Sequence, residues 1–237
     1  MRILSILLVF LSLSGLCAQS LTSEEVLNKA IAFHDPEQKW KSFKGTFNIR
    51  METPNAADRY STIQMDFPKR TFTLQVRQDG DSYGYFFEGD SCSTQLNGST
   101  SISDEDRKAY RLTCERGKMM QNYYTYLYGL PMKLKDPGSN LDQKVQTKTF
   151  KGKEYLVLKV SYDEKVGDDV WYFYFDPKTY AMEVYQFYHD ESKGDGEYIL
   201  LKDLEEVSNI KMPKTRAWFY NKDNKYLGTD ILTLPQE

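Results

Sequence analysis

Two histidines stand in the 237-residue chain, His34 and His189, and an aspartate follows each. A carboxylate beside an imidazole can fix its tautomer and raise its basicity, as in metal ligands and acid–base catalysts. The residue pattern puts His34 at the end of a helix and His189 at the end of a strand, and nothing in it brings them together. A histidine at a helix C-terminus is favoured by the helix dipole alone. The structural reading is therefore preferred for both. Acidic residues form a second group: Asp163, Glu164, Asp168 and Asp169 in one loop, Asp190, Glu191 and Asp195 in another, with Lys165 and Lys193 among them. Calcium accepts such oxygen donors, but the spacing is not Asp-x-Asp-x-Asp-Gly. No metal and no cofactor is expected. The chain carries no Gly-x-Ser-x-Gly, His-Glu-x-x-His or phosphate loop, and no catalytic residue is assigned. Paired carboxylates obey no spacing rule, so a secreted hydrolase using carboxylates stays open as an alternative.

The aromatic and methionine residues are the remaining chemical signal. Aromatic residues make up 14% of the chain, enough to line a cavity as well as fill a core. Residues 170–188 read VWYFYFDPKTYAMEVYQFY, two aromatic runs around an Asp-Pro-Lys-Thr turn. Period-two alternation puts Trp171, Phe173 and Phe175 on one face and Tyr172 and Tyr174 on the other. Both faces are aromatic, so this hairpin needs cover on both sides or lines a cavity. The tyrosines are expected on the convex side, under loops or partly wet. Phe47, Ile49, Met51, Met65, Phe67, Phe72 and Leu74 are the matching inner-face candidates from the first half. Tyr124 and Leu127 join them from a helix. An ordinary packed core is the competing reading for any one of these, while flexible Met and aromatic side chains suit an adaptable apolar pocket.

Charge and export signals narrow the class. A net charge of −3 gives no basic face for nucleic acid. Residues 1–18 read as a secretory signal peptide: one Arg, an apolar run, then small residues. Lipidation of Cys17 is the alternative to plain secretion. The mature chain, 19–237, keeps Cys92 and Cys114, and an oxidising compartment favours a disulfide between them over two free thiols.

The elements that would position these residues alternate clearly along the chain. Thr22 and Glu25 form a capping box for a helix ending at Pro36. Strands follow around 43–52, 62–67, 71–77, 82–87 and 92–96, with Asp79-Gly80 and Asn97-Gly98 as hairpin turns. Residues 103–129 break the pattern as one broken helix or two short ones, with starts at Ser103 and Thr113. Residues 130–140 read as a loop. Strands resume at 154–162, 170–175, 182–189, 197–204, 214–220 and 226–232, which makes roughly eleven in one domain. In this meander the two acidic loops lie at one end of the sheet. Phe33-His34-Asp35-Pro36, Trp40, residues 126–134 (YLYGLPMKL), Asp136-Pro137-Gly138 and Asp176-Pro177 carry a resemblance to an uncharacterised family of secreted bacterial proteins. The order of elements resembles the wider LolA/LolB-like superfamily of lipoprotein localisation factors. That resemblance implies a mainly β (α+β) fold: an unclosed antiparallel β-barrel with helices covering its concave face. It also implies a periplasmic or envelope location, peripheral to the outer membrane as one option, and a lipid or other apolar ligand held by acyl-chain burial. A structural envelope protein whose half-barrel is filled by its own side chains is the further alternative.

Overall fold

The computed structural model describes residues 21–235. The signal segment and Cys17 lie outside the described residues. One antiparallel sheet of thirteen strands organises the chain, in the spatial order β5-β4-β3-β2-β1-β13-β12-β11-β10-β9-β8-β6, with β7 also paired to β8. The first half comprises β1 (Lys44–Thr53), β2 (Ala56–Asp66), β3 (Thr71–Gln78), β4 (Asp81–Glu88) and β5 (Ser91–Leu96). The second half comprises β6 (Ser139–Leu141), β7 (Gln146–Phe150), β8 (Lys153–Tyr162), β9 (Val170–Phe175), β10 (Met182–Tyr188), β11 (Glu197–Val207), β12 (Ile210–Tyr220) and β13 (Tyr226–Thr233). Pairing of β1 with β13, Ile49 opposite Leu232, joins the halves. The outer strands β5 and β6 do not meet, so the barrel is unclosed.

The sequence predicts about eleven strands; β6 and β7 are the additional ones. Both lie where prolines, glycine and polar residues hide any alternation. The stretch read as a loop instead holds a 3-10 turn, Met132–Lys135, and the start of β6. β7 has a functional consequence for the fold: Phe150 packs on Tyr174 and Tyr198 at 5.3 Å. Tyr155, Tyr172 and Tyr174 are thereby buried in a second, convex-side cluster with Val157 and Val184. The convex tyrosines are covered largely by β7, Phe150 over Tyr174 and Lys148 over Tyr172, and in part by a loop, through the Tyr172–Glu191 hydrogen bond.

Three α-helices cover the concave side: α1 (Ser23–His34), α2 (Asp104–Ala109) and α3 (Cys114–Tyr128). The Thr22–Glu25 capping box starts α1, and Ser103 and Thr113 cap α2 and α3. Tyr128 at the end of α3 meets Phe47 of β1 at 4.8 Å. Cys92 of β5 and Cys114 of α3 are joined by a disulfide, which ties the start of α3 to the sheet edge. Gly117 lets α3 sit close there: a Cβ on it would meet Tyr85 at 2.8 Å and Phe87 at 3.0 Å.

His34 is fully buried and fixes α1 to two distant strands. Its Nδ1 lies 2.7 Å from the Lys211 carbonyl and its Nε2 accepts the Met182 N–H at 3.0 Å. Nδ1 therefore carries the proton. Asp35 beside it accepts the Lys39 and Trp40 N–H groups at 2.7 and 2.9 Å, seating Trp40. The histidine–aspartate pair is a structural clamp.

Burial lowers the His34 pKa from 6.5 to about 4. Between those values the unfolded chain binds a proton that the folded chain refuses, so stability is held above pH 6.5 and falls as pH drops toward 4. The loss should reach about 3 kcal/mol by the lower limit. Denaturant melts across that window should show this acid limb in the native protein and a flatter one in His34→Asn, whose overall stability is lower.

Candidate ligand cavity

The strand registers build the site. Inward-facing parity carries Arg59 opposite Met51, Met51 opposite Asp230, and Asp230 opposite Arg216. A row of side chains thus crosses β2, β1, β13 and β12 on the concave face. One step toward the rim the same strands present Gly228 opposite Trp218, and Trp218 opposite Ile199. Beyond that, Glu197 faces Phe187 and Phe187 faces Trp171. α3 lies over these rows. Between it and the sheet is a cavity of about 600 Å³, walled by Met51, Met119, Met120, Tyr123, Tyr126, Leu127, Trp171, Phe187, Trp218 and Leu227, with Arg59, Arg116, Glu197 and Asp230 as its charged members. A second hollow of about 780 Å³ lies on the other side of Tyr126 and Trp171, under residues 163–169, and shares Met119 and Tyr123 with the first.

The wall between the hollows is aromatic. Trp171 stacks on Phe187 at 4.8 Å and meets Tyr126 edge-on at 5.6 Å. The Tyr126 hydroxyl is hydrogen-bonded to that of Tyr162, joining α3 to β8. Burial pushes the Tyr162 phenol up to about 12, against the pull of this bond, and raises Tyr126 as well, so the pair stays neutral. Met119 and Tyr123 are 47% and 37% exposed, marking the mouth. At the rim His189 Nδ1 lies 2.6 Å from Asp169 Oδ1. That bond raises the His189 pKa and links the two acidic loops, which do share one end of the sheet. Among the described residues no cluster of three or more His, Cys, Asp or Glu could hold a metal ion.

Two charged side chains beside and behind the cavity, Asp230 and Arg216, are deeply buried. Arg216 is 1% exposed; its guanidinium lies 3.9 Å over the Tyr128 ring and Nη1 donates to the Pro213 carbonyl at 2.8 Å. Asp230 is 6% exposed. Burial raises its pKa, against the pull of the Arg216 and Arg59 guanidinia. Burial also raises Glu197, while His189 pulls it down.

Of the residues picked out from sequence, Met51, Leu127 and Trp171 border the first cavity. Phe47, Ile49, Met65, Phe72, Leu74, Tyr124, Phe173 and Phe175 are fully buried in the main core. Phe67 packs edge-on against Trp40 at 5.0 Å, at the far end of the sheet. Arg59, Asp230 and Arg216 were not singled out. Their signal is parity: each is a charged residue at an inward position of an alternating strand, in step with Ile63, Leu232 and Trp218.

These features define an unclosed antiparallel β-barrel with helices over its concave face, a fold similar to that of solved LolA superfamily structures. A LolA superfamily protein from Nitrosomonas europaea is similar in structure, with a TM-score of 0.52 and 11% identity over 92% of this chain and 96% of that one. A DUF1329 family protein from Desulfovibrio piger ATCC 29098 is similar at TM-score 0.51 and 8% identity, over 89% of this chain and 91% of that one. Within that fold the chain belongs to the Family of unknown function (DUF6503), whose model matches residues 2–233. No curated protein matches the sequence.

The close seat of α3 is testable. Gly117→Val would force α3 off Tyr85 and Phe87, and overpacking of this kind costs about 1–3 kcal/mol. A thermal melt should show the loss, together with increased binding of a hydrophobic dye as the cavity loosens.

Proposed function

We propose that the mature chain, 19–237, is a single half-barrel that binds one lipophilic ligand, a lipid or acyl chain, in the periplasm or cell envelope. The reading rests on one observation: the apolar cavity between α3 and the sheet. Its volume falls within the roughly 300–1,000 Å³ of small-molecule sites. Met51, Met119 and Met120 give it adaptable walls, since an unbranched thioether fills irregular space. Trp171, Phe187 and Trp218 supply large apolar area. Binding would follow from burial at about 25 cal/mol per Å², with few polar contacts to orient the ligand. An exported apolar binder also accords with the signal segment and with the half-barrel fold. No helix among the described residues is long and apolar enough to cross a membrane. The hydrolase alternative would have to draw on Glu197 and Asp230, the carboxylates of this cavity; no nucleophile or metal ligand accompanies them there.

The neutral dye N-phenyl-1-naphthylamine is expected to brighten on titration into the purified mature chain, and native mass spectrometry to show a co-purified apolar adduct. Met120→Trp should fill part of the hollow and weaken dye binding by about tenfold or more while keeping the melting transition cooperative. A chain that binds no dye and carries no adduct would overturn the assignment.

A further inference from the structure

The walls of the cavity are apolar, but polar groups at and behind its deep end lack partners. Nε of Arg59, Nε of Arg216 and the hydroxyls of Tyr128 and Tyr185 are all buried without a hydrogen-bond partner. Arginine offers five donors and no acceptor. Asp230 is the one carboxylate in the row that joins Arg59 to Arg216 through the strand registers. Two guanidinia against one carboxylate leave this row with one excess positive charge. A buried donor left unpaired is costly, so such groups ordinarily meet a partner. Arg59 both borders the cavity and carries an unpaired donor. Arg216 and Tyr185 lie one layer behind and reinforce the positive field: Tyr185 packs edge-on against Trp218 of the cavity wall at 6.2 Å.

The other end of the cavity has the opposite character. Glu197, the first residue of β11, sits against Phe187 near the rim. An anionic group placed outward would face this carboxylate, whereas one placed inward meets the unpaired Arg59 donor and the net positive charge behind it. We propose that the ligand is an anionic single-chain amphiphile seated head-inward, its carboxylate at Arg59 and its chain running past Trp218 and Trp171 to the mouth. This rests on the reading of the cavity as a lipophilic site and adds the ligand's charge and direction. Charge-assisted bonds from a guanidinium to a carboxylate are stronger than neutral ones, which gives the anion its advantage over a neutral analogue.

Three twelve-carbon probes separate the possibilities: dodecanoate, 1-dodecanol and dodecyltrimethylammonium, each displacing N-phenyl-1-naphthylamine from the purified mature chain near neutral pH. Dodecanoate is expected to bind about tenfold or more tighter than dodecanol, a difference of about 1.4 kcal/mol or more. Arg59→Met should abolish that preference while its melting transition stays cooperative, which reports that the variant is folded; Arg59→Lys should restore part of it. Equal affinity for acid and alcohol, tighter binding of the ammonium probe, or a preference that survives Arg59→Met would overturn the proposal. Dye binding with no displacement by any probe would overturn it too, while leaving the apolar cavity standing. Absence of dye binding together with absence of a co-purified apolar adduct would overturn both.

Discussion

A sheet that bends but does not close must cover its concave face with something other than itself. Everything else in this chain answers to that constraint. The first and last strands, β1 and β13, pair in the middle of the sheet, so the free edges are β5 on one side and β6 and β7 on the other. α1 and α3 then close the hollow from opposite ends. Each is held by a specific device rather than by apolar contact alone. His34 bonds α1 to the backbone at Lys211 and Met182. The disulfide and Gly117 hold the start of α3, and Tyr128 on Phe47 holds its end. The middle of α3, where Met119, Met120 and Tyr123 lie, has no such device and spans the cavity instead.

Register explains why charge lies inside. Side chains alternate strictly between faces, so a residue cannot change sides without shifting its whole strand. Arg59, Asp230 and Arg216 share parity with core residues and are carried inward with them. Such a group must find compensation in place, because a lone buried charge is far more costly than a paired one. Arg216 achieves part of this through the face of Tyr128 and the Pro213 carbonyl. Arg59 and Asp230 border open space and retain access to it.

Alternation made most of the fold legible. The Trp171–Phe173–Phe175 face and its tyrosine counterpart follow from period two, and Asp79-Gly80 turns the β3–β4 hairpin as expected, whereas Asn97-Gly98 closes only an isolated bridge between Leu96 and Ser99, with no returning strand, at the sheet edge. Thr22, Ser103 and Thr113 cap the three helices because their side chains can accept the early N–H groups. β6 and β7 escaped because they are short, polar and paired only at the ends of β8. The buried state of Tyr172 and Tyr174 escaped for the same reason, since β7 is what largely covers them. The cavity was less legible than the fold. Parity distinguishes inward from outward, but it does not distinguish a residue packed against another strand from one facing a hollow. Phe173 and Trp171 share a face and parity; one is core and the other is wall.

What separates them is the distribution of small and charged residues among the neighbours. Gly228 stands opposite Trp218 and sends no side chain inward; a Cβ there would meet the Glu52 carbonyl at 2.6 Å. Beside it, the row from Arg59 to Arg216 resists collapse, since moving apolar side chains onto those groups would remove their remaining solvation without pairing them. The hollow therefore persists where a missing side chain adjoins unpaired donors. Farther along the sheet, Phe47, Ile63, Phe72 and Leu74 meet no such row, and there the same curved face packs solid.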